Sequence, residues 1–230
     1  MENISISMGK RQLVDSIWKS AGIEGLGTTF PDTQKILEGL PVTTTAEEVL
    51  FITNMKRTWY FVFENVERPN NLSFLREINK ISMQGLSYDA GNIRNVPVSI
   101  GGTSWRPGFP QPGLIIEDLE RINSIEDKVD SALEMFCYIA RSQIFLDGNK
   151  RAAQLMCNKM MMQYDLGIFS VPYDRIDDFS GMLIDMYVSG DTSAIKDFFT
   201  KECLLLNYNN RIVTDRFGIP GGDDGPCMDR

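Results

Sequence analysis

Apolar residues recur at spacings of three and four along most of the chain, the period of a helix that buries one face. Between 125 and 142 the positions Val129, Ala132, Leu133, Phe136, Cys137 and Ala140 keep that spacing, and Ser124 and Asp127 stand like a capping box at the start. Residues 45–66 repeat the pattern with Val49, Ile52, Trp59, Phe63 and Val66 on one side, opened by Thr45 and Glu48 as a second capping box. The same reading predicts helices at 9–22, 31–39, 72–84, 113–123, 149–165, 174–188 and 191–204, each bounded by Asn, Asp, Ser, Thr, Gly or Pro. The predicted fold class is mainly α.

One region departs from the helical period. "GNIRNVPVSIGGTSWRPGFPQPG", from Gly91 to Gly113, is rich in glycine and proline and places Val96, Val98 and Ile100 in the alternation of a strand. Pro97 has no N–H to donate, so a strand here is an edge strand or half of an isolated hairpin. Two readings stand: an irregular surface loop, or an open edge that receives an extended peptide by strand addition. After Leu206 the sequence turns polar and rich in Gly and Asp, which predicts a tail that is flexible or draped over the surface.

The segment 149–165 is apolar on most sides, through Ala152, Ala153, Leu155, Met156, Cys157 and Met160 to Met162, so it is predicted to be a central helix that others pack on. Its start, "FLDGN", is polar. Free N–H groups of a helix's first turn, with its dipole, favour an anion, and Lys150 and Arg151 add cationic donors. Asp147 just ahead could hold a divalent metal while the amides hold phosphate. The plainer alternative is that Asp147 or Asn149 caps a buried helix and the two cations are solvated.

Composition narrows the function classes. The chain has 230 residues, 43% of them hydrophobic, which suffices for a buried core, and a formal net charge of −8. That balance supplies no basic field for nucleic acid or an anionic membrane surface. No segment has signal-peptide character or the length of a membrane span, so the expected location is the cytoplasm. Cys137, Cys157, Cys203 and Cys227 lie far apart without paired spacing and read as reduced thiols, not as a metal site or a disulfide framework. The chain contains no histidine, which removes the commonest general base and metal ligand.

Gln143-Ile144-Phe145-Leu146-Asp147-Gly148-Asn149-Lys150-Arg151 resembles the signature of the Fic/Doc family, commonly His-x-Phe-x-Asp/Glu-Gly-Asn-Gly/Lys-Arg, with Gln143 at the histidine position. "DAGNIR", "VPVSIGG" and "RPGFPQP" are similar to the family's flap, a β-hairpin that holds a target segment by main-chain pairing. Ser20-Ala21-Gly22-Ile23-Glu24-Gly25 is similar to the family's inhibitory motif, Ser/Thr-x-x-x-Glu-Gly/Asn. The resemblance implies a Fic-type helical bundle with a short β-hairpin flap. Its expected divisions are an N-terminal helical region at 1–70, a Fic core at 71–205 with the flap at about 88–112, and a C-terminal tail at 206–230.

By that resemblance the chain is expected to be a protein adenylyltransferase, moving AMP from ATP to a protein hydroxyl with Mg2+. Asp147 would bind magnesium, Gly148 and Asn149 would line the anion hole with Lys150 beside them, and Arg151 would contact the triphosphate. Phe145 would anchor the motif in the core, Ser20 and Glu24 would serve inhibition, and Arg94, Val96, Val98 and Ile100 would dock the target. The expected partners are nucleotide and a protein substrate, with a homodimer left open. The family histidine takes the target hydroxyl's proton, and a carboxamide has no useful basicity near neutral pH. Weak or absent transfer is therefore expected, with an inactive nucleotide-binding module and a Doc-like phosphotransferase as alternatives. Many adenylylating members carry a second arginine three residues after the first, the partner of the inhibitory glutamate; here that position is Gln154.

Overall fold

The computed structural model describes residues 3–218, and the helices it contains follow the sequence signals closely. Helices α1 (Ile4–Arg11) and α2 (Leu13–Ile23) lead into α3 (Phe30–Glu38), α4 (Ala46–Glu64) and α5 (Leu72–Ser82). After a long extended stretch come α6 (Pro112–Asn123), α7 (Lys128–Ser142), α8 (Asn149–Gln163), α9 (Ile176–Ser189) and α10 (Ser193–Phe198). Strand β1 (Gly167–Phe169) pairs antiparallel with β2 (Leu204–Leu206), and α11 (Arg211–Phe217) follows. No helix among the described residues is long and apolar enough to cross a membrane.

The centre is α8, as its pattern predicts: every residue from Arg151 to Met162 is buried. Its chief neighbour is α7, whose Ala132, Leu133, Phe136, Ile139 and Ala140 are all fully buried. Helices α4 and α5 close another side. Phe136, Phe169, Phe179 and Phe199 form an aromatic knot, with Phe136 and Phe169 each 4.9 Å from the Phe199 ring centre. Each such ring contributes about 1.5–3 kcal/mol through burial alone.

Local chemistry sets the boundaries. The Thr45–Glu48 capping box forms, Thr45 accepting from the Glu48 amide while the Glu48 carboxylate accepts from the Thr45 amide. At α7 the cap is Asp127 alone, accepting from Val129 and Asp130; Ser124 instead ends α6. One predicted helix at 9–22 is two, broken at Gln12. The predicted 191–204 helix widens into a π turn at Phe199–Cys203 and then gives way to β2. Gly167 makes β1 possible: at φ 125° a β-carbon there would lie 2.0 Å from Leu205 O.

One expectation is corrected, and another resolves toward one of its alternatives. The 88–112 segment forms no paired hairpin: residues 95–111 are irregular, with a turn at Gly101–Gly102 and no backbone ladder, because Pro97 and the glycines leave no second strand to meet the Val96–Ile100 alternation. The antiparallel pair of this fold is β1 with β2. The tail after Leu206 is helical through Phe217, held by buried Val213 and an Arg216–Asp127 ion pair, while 219–230, with Cys227, lies outside the described residues. Cys137, Cys157 and Cys203 are buried free thiols, as expected, and burial pushes the thiol of each upward.

Candidate functional site

Residues 143–148 join α7 to α8 and bring the motif's polar groups to one end of the central helix. Gln143 ends α7 in the left-handed region at φ 47°, ψ 55°, a conformation costing a non-glycine residue about 1–2 kcal/mol. Its carboxamide is engaged on both ends: Nε2 donates to Ala140 O at 2.6 Å and Oε1 accepts from Asn149 Nδ2 at 3.2 Å. Asn149 braces the turn from within, accepting from Phe145 N at 3.0 Å and donating to Phe145 O at 2.9 Å. Phe145 is 1% exposed, the anchor expected of it.

Gly148 caps α8 in the left-handed region, φ 77°, where a β-carbon would meet Met83 Sδ at 2.6 Å and Asn79 Nδ2 at 2.9 Å. Both backbone angle and space therefore require glycine. The N–H groups of Asn149, Lys150 and Arg151 open α8 with no acceptor among the described residues, so the helix end offers donors and a positive dipole to an anion. Asp147 stands beside them with its side chain 61% exposed and Oδ1 2.5 Å from Gly148 N.

A cavity of about 420 Å³ lies over this end, lined by Gln143, the Asp147–Lys150 turn, Glu24, the extended Val98–Gly101 stretch and the α9 side chains Phe179, Leu183, Ile184 and Tyr187. Burial raises the Tyr187 hydroxyl well above its ordinary value, so it is no base near neutrality. Among the described residues no cluster of three His, Cys, Asp or Glu side chains could hold a metal by itself. A lone exposed carboxylate such as Asp147 suits a magnesium ion that takes its other ligands from phosphate and water.

Arg151, expected at the triphosphate, stands beside this cavity. It lines a smaller cavity of about 160 Å³ beside the first, its guanidinium over the Phe51 ring at 5.2 Å. Glu24 and Asp147 border both spaces. Glu24 lies 3.7 Å from Arg151 Nε and 3.5 Å from Lys150 Nζ, which also donates to Ile23 O at 3.0 Å. Ser20, one turn earlier on α2, shares its hydroxyl between Ser16 O at 2.8 Å and Gln154 Oε1 at 2.9 Å. The end of α2 thus sits on the start of α8 through both halves of its motif.

The expected docking residues divide. Val96 is exposed, and Val98 and Ile100 are partly buried at the cavity's edge, whereas Arg94 is 2% exposed and spends its donors internally. A buried guanidinium cannot present itself to a target surface. Trp105, not singled out from the sequence, holds the far end of the segment, stacked on Tyr187 at 6.0 Å with the Arg141 guanidinium 4.8 Å from its ring centre. Only its position in a run of glycines and prolines hinted at an anchor.

Residues 69–161 match the model of the Fic/DOC family, from just before α5 almost to the end of α8. The chain is similar to a solved Fic-1 segment from C. elegans, at 19% identity and a TM-score of 0.72 over 85% of this chain and 61% of that one. It is also similar to a Fic domain containing signaling protein from Bacteroides thetaiotaomicron, at 18% identity and a TM-score of 0.70 over 83% of this chain and 77% of that one. A Fic family protein from Desulfovibrio desulfuricans gives 18% identity and a TM-score of 0.67, over 83% and 61% of the two chains. No curated protein matches the chain. At these identities the solved structures speak for the fold, and the chain spans about three fifths of the Fic-1 segment's length. Residues 69–161 are a Fic/DOC-family domain, set in a Fic-like helical fold.

Proposed function

We propose that the chain is a protein adenylyltransferase scaffold, taking AMP from ATP to a protein hydroxyl, with transfer reduced by Gln143. The observation that carries this reading is the α8 start: three unpaired backbone donors, Lys150 and a single exposed carboxylate at the edge of one cavity. The amides of Asn149 to Arg151 and the Lys150 ammonium would receive the phosphates. Asp147 would hold magnesium, which when bound neutralises developing phosphate charge. The extended Val96–Ile100 edge, without a ladder partner, would take a target segment by main-chain pairing and bring its hydroxyl to residue 143.

In such a transfer the target oxygen bonds to the α-phosphorus, the bond to pyrophosphate breaks, and the hydroxyl proton must leave. Gln143 offers it no destination: its carboxamide is not basic and its oxygen already accepts from Asn149. General-base help contributes ~10²–10⁴ in rate, so transfer falls by about that factor. The same full engagement of Gln143 favours, as second reading, a nucleotide-binding module without turnover. Glu24 would restrain either form, because it occupies the cations Lys150 and Arg151 that the phosphates need. Gln143→His tests the first reading: AMP transfer in that variant supports it, and a folded variant without transfer counts against it.

A further inference from the structure

We propose that Arg94 is a positioning residue: it fixes the backbone of residue 143 and ties it to both ends of the extended segment that borders the cavity. Its guanidinium has no carboxylate partner, and all its hydrogen bonds go to main-chain carbonyls. Nε donates to Gln143 O at 2.6 Å, Nη1 to Val96 O at 2.9 Å and Nη2 to Gly108 O at 2.5 Å. The Arg94 amide donates to Ile144 O at 3.0 Å, and the guanidinium lies 5.8 Å from the Phe109 ring centre.

One planar fork thus binds the start of the segment, its end and the first residue of the motif. The guanidinium offers five donors in a rigid plane, which suits three carbonyls spread around its edge. The arrangement answers two needs. Gln143 sits in the left-handed region without being glycine, so something must hold it there, and Arg94 grips its carbonyl. Residues 95–107 make no backbone hydrogen bonds to the body, so their place relative to residue 143 depends on side-chain anchors. Trp105 fixes the segment to α7 and α9, and Arg94 joins it to residue 143. The α8 start, with its phosphate-facing donors, is not among the groups Arg94 touches.

The test has two arms, of which only the second rests on the proposed transferase function. In the native chain, Arg94→Lys keeps the charge and loses the fork. The carbonyl and Cα resonances of residue 143 should leave their left-handed values and the backbone order parameters of 95–105 should fall, while the Phe145 signals stay. An unchanged residue 143 in folded Arg94→Lys protein would overturn the inference. In the Gln143→His background, Arg94→Lys should lower kcat by about 10²-fold, the effect of a small misplacement, with KM for ATP within about twofold. A KM that rises as kcat holds would overturn it by making Arg94 a binding group. If Gln143→His transfers nothing, the function reading fails and the resonance arm alone decides Arg94.

Discussion

Ser20 on α2 donates to Gln154 on α8 at 2.9 Å, between two residues 134 positions apart in the chain. Both are buried, and Gln154 Nε2 has no partner of its own, so the serine hydroxyl is the main polar tie of that carboxamide. The helix that carries Glu24 is thereby fastened at the position where many relatives of the motif have a second arginine.

Ser20→Ala leaves a buried carbonyl oxygen without its donor, which costs about 1–3 kcal/mol. Denaturant unfolding should report that loss, and hydrogen exchange should quicken in α2 before α8. A variant as stable as the parent would mean that apolar α2 residues, such as Ile17 and Ala21, hold the helix alone.

Glu24→Gln removes the charge that lies between Lys150 and Arg151 without changing the side chain's size. Both cations lose that carboxylate, leaving Arg151 with Asp147 at 3.4 Å and Lys150 with the Ile23 carbonyl, so magnesium ATP should raise the melting temperature more in the variant than in the parent, as ligand linkage requires. Equal shifts would remove the proposed restraint.

Two glycines with nearly the same backbone angle should respond differently to alanine. Gly25 has φ 76° and open space around it, so Gly25→Ala costs only the left-handed strain, about 1–2 kcal/mol. Gly148 has φ 77° but Met83 and Asn79 against it, adding an overpacking cost of about 1–3 kcal/mol. Melting temperatures of the two variants give the comparison, with Gly148→Ala the lower.

Lys159 is buried with three neutral acceptors, Arg68 O, Asn70 Oδ1 at 2.6 Å and Gln163 Oε1 at 2.8 Å. Burial lowers its ammonium to about 8 from an ordinary 10.5, partly opposed by Glu67. The unfolded chain therefore binds the proton more tightly, and this residue's contribution to stability rises with pH between about 8 and 10.5. Stability measured across that window for the parent minus Lys159→Met should rise with pH; subtraction cancels the buried cysteines, which act in the opposite sense. A flat difference would contradict the depressed ammonium.

Much of this fold was legible because its signals are local. Periodic apolar positions, Thr45 with Glu48 and the all-round apolar face of α8 each specify an element within a few residues of sequence. The motif from Gln143 to Arg151 was legible for the same reason, and the turn geometry agrees with it. Strands β1 and β2 were missed because each has three residues and forms only by pairing across 35 or more positions, as in Gly167 with Leu206. The hairpin was expected from an alternation that has no partner strand. Arg94 was assigned to the surface because nothing in its neighbours announces that three distant carbonyls converge on it. Spacing along a helix did not reveal that Glu24 and Phe51 lie against Arg151.

On the proposed function the chain keeps a phosphate site and lacks the base. Intact mass after incubation with magnesium ATP, on the parent and on Gln143→His, separates a missing base from a missing site. Added AMP is expected on the variant, on itself or on a supplied protein, at a rate about 10²–10⁴ above the parent. A folded Gln143→His chain that gains no AMP, or that gains phosphate instead, would rule that function out.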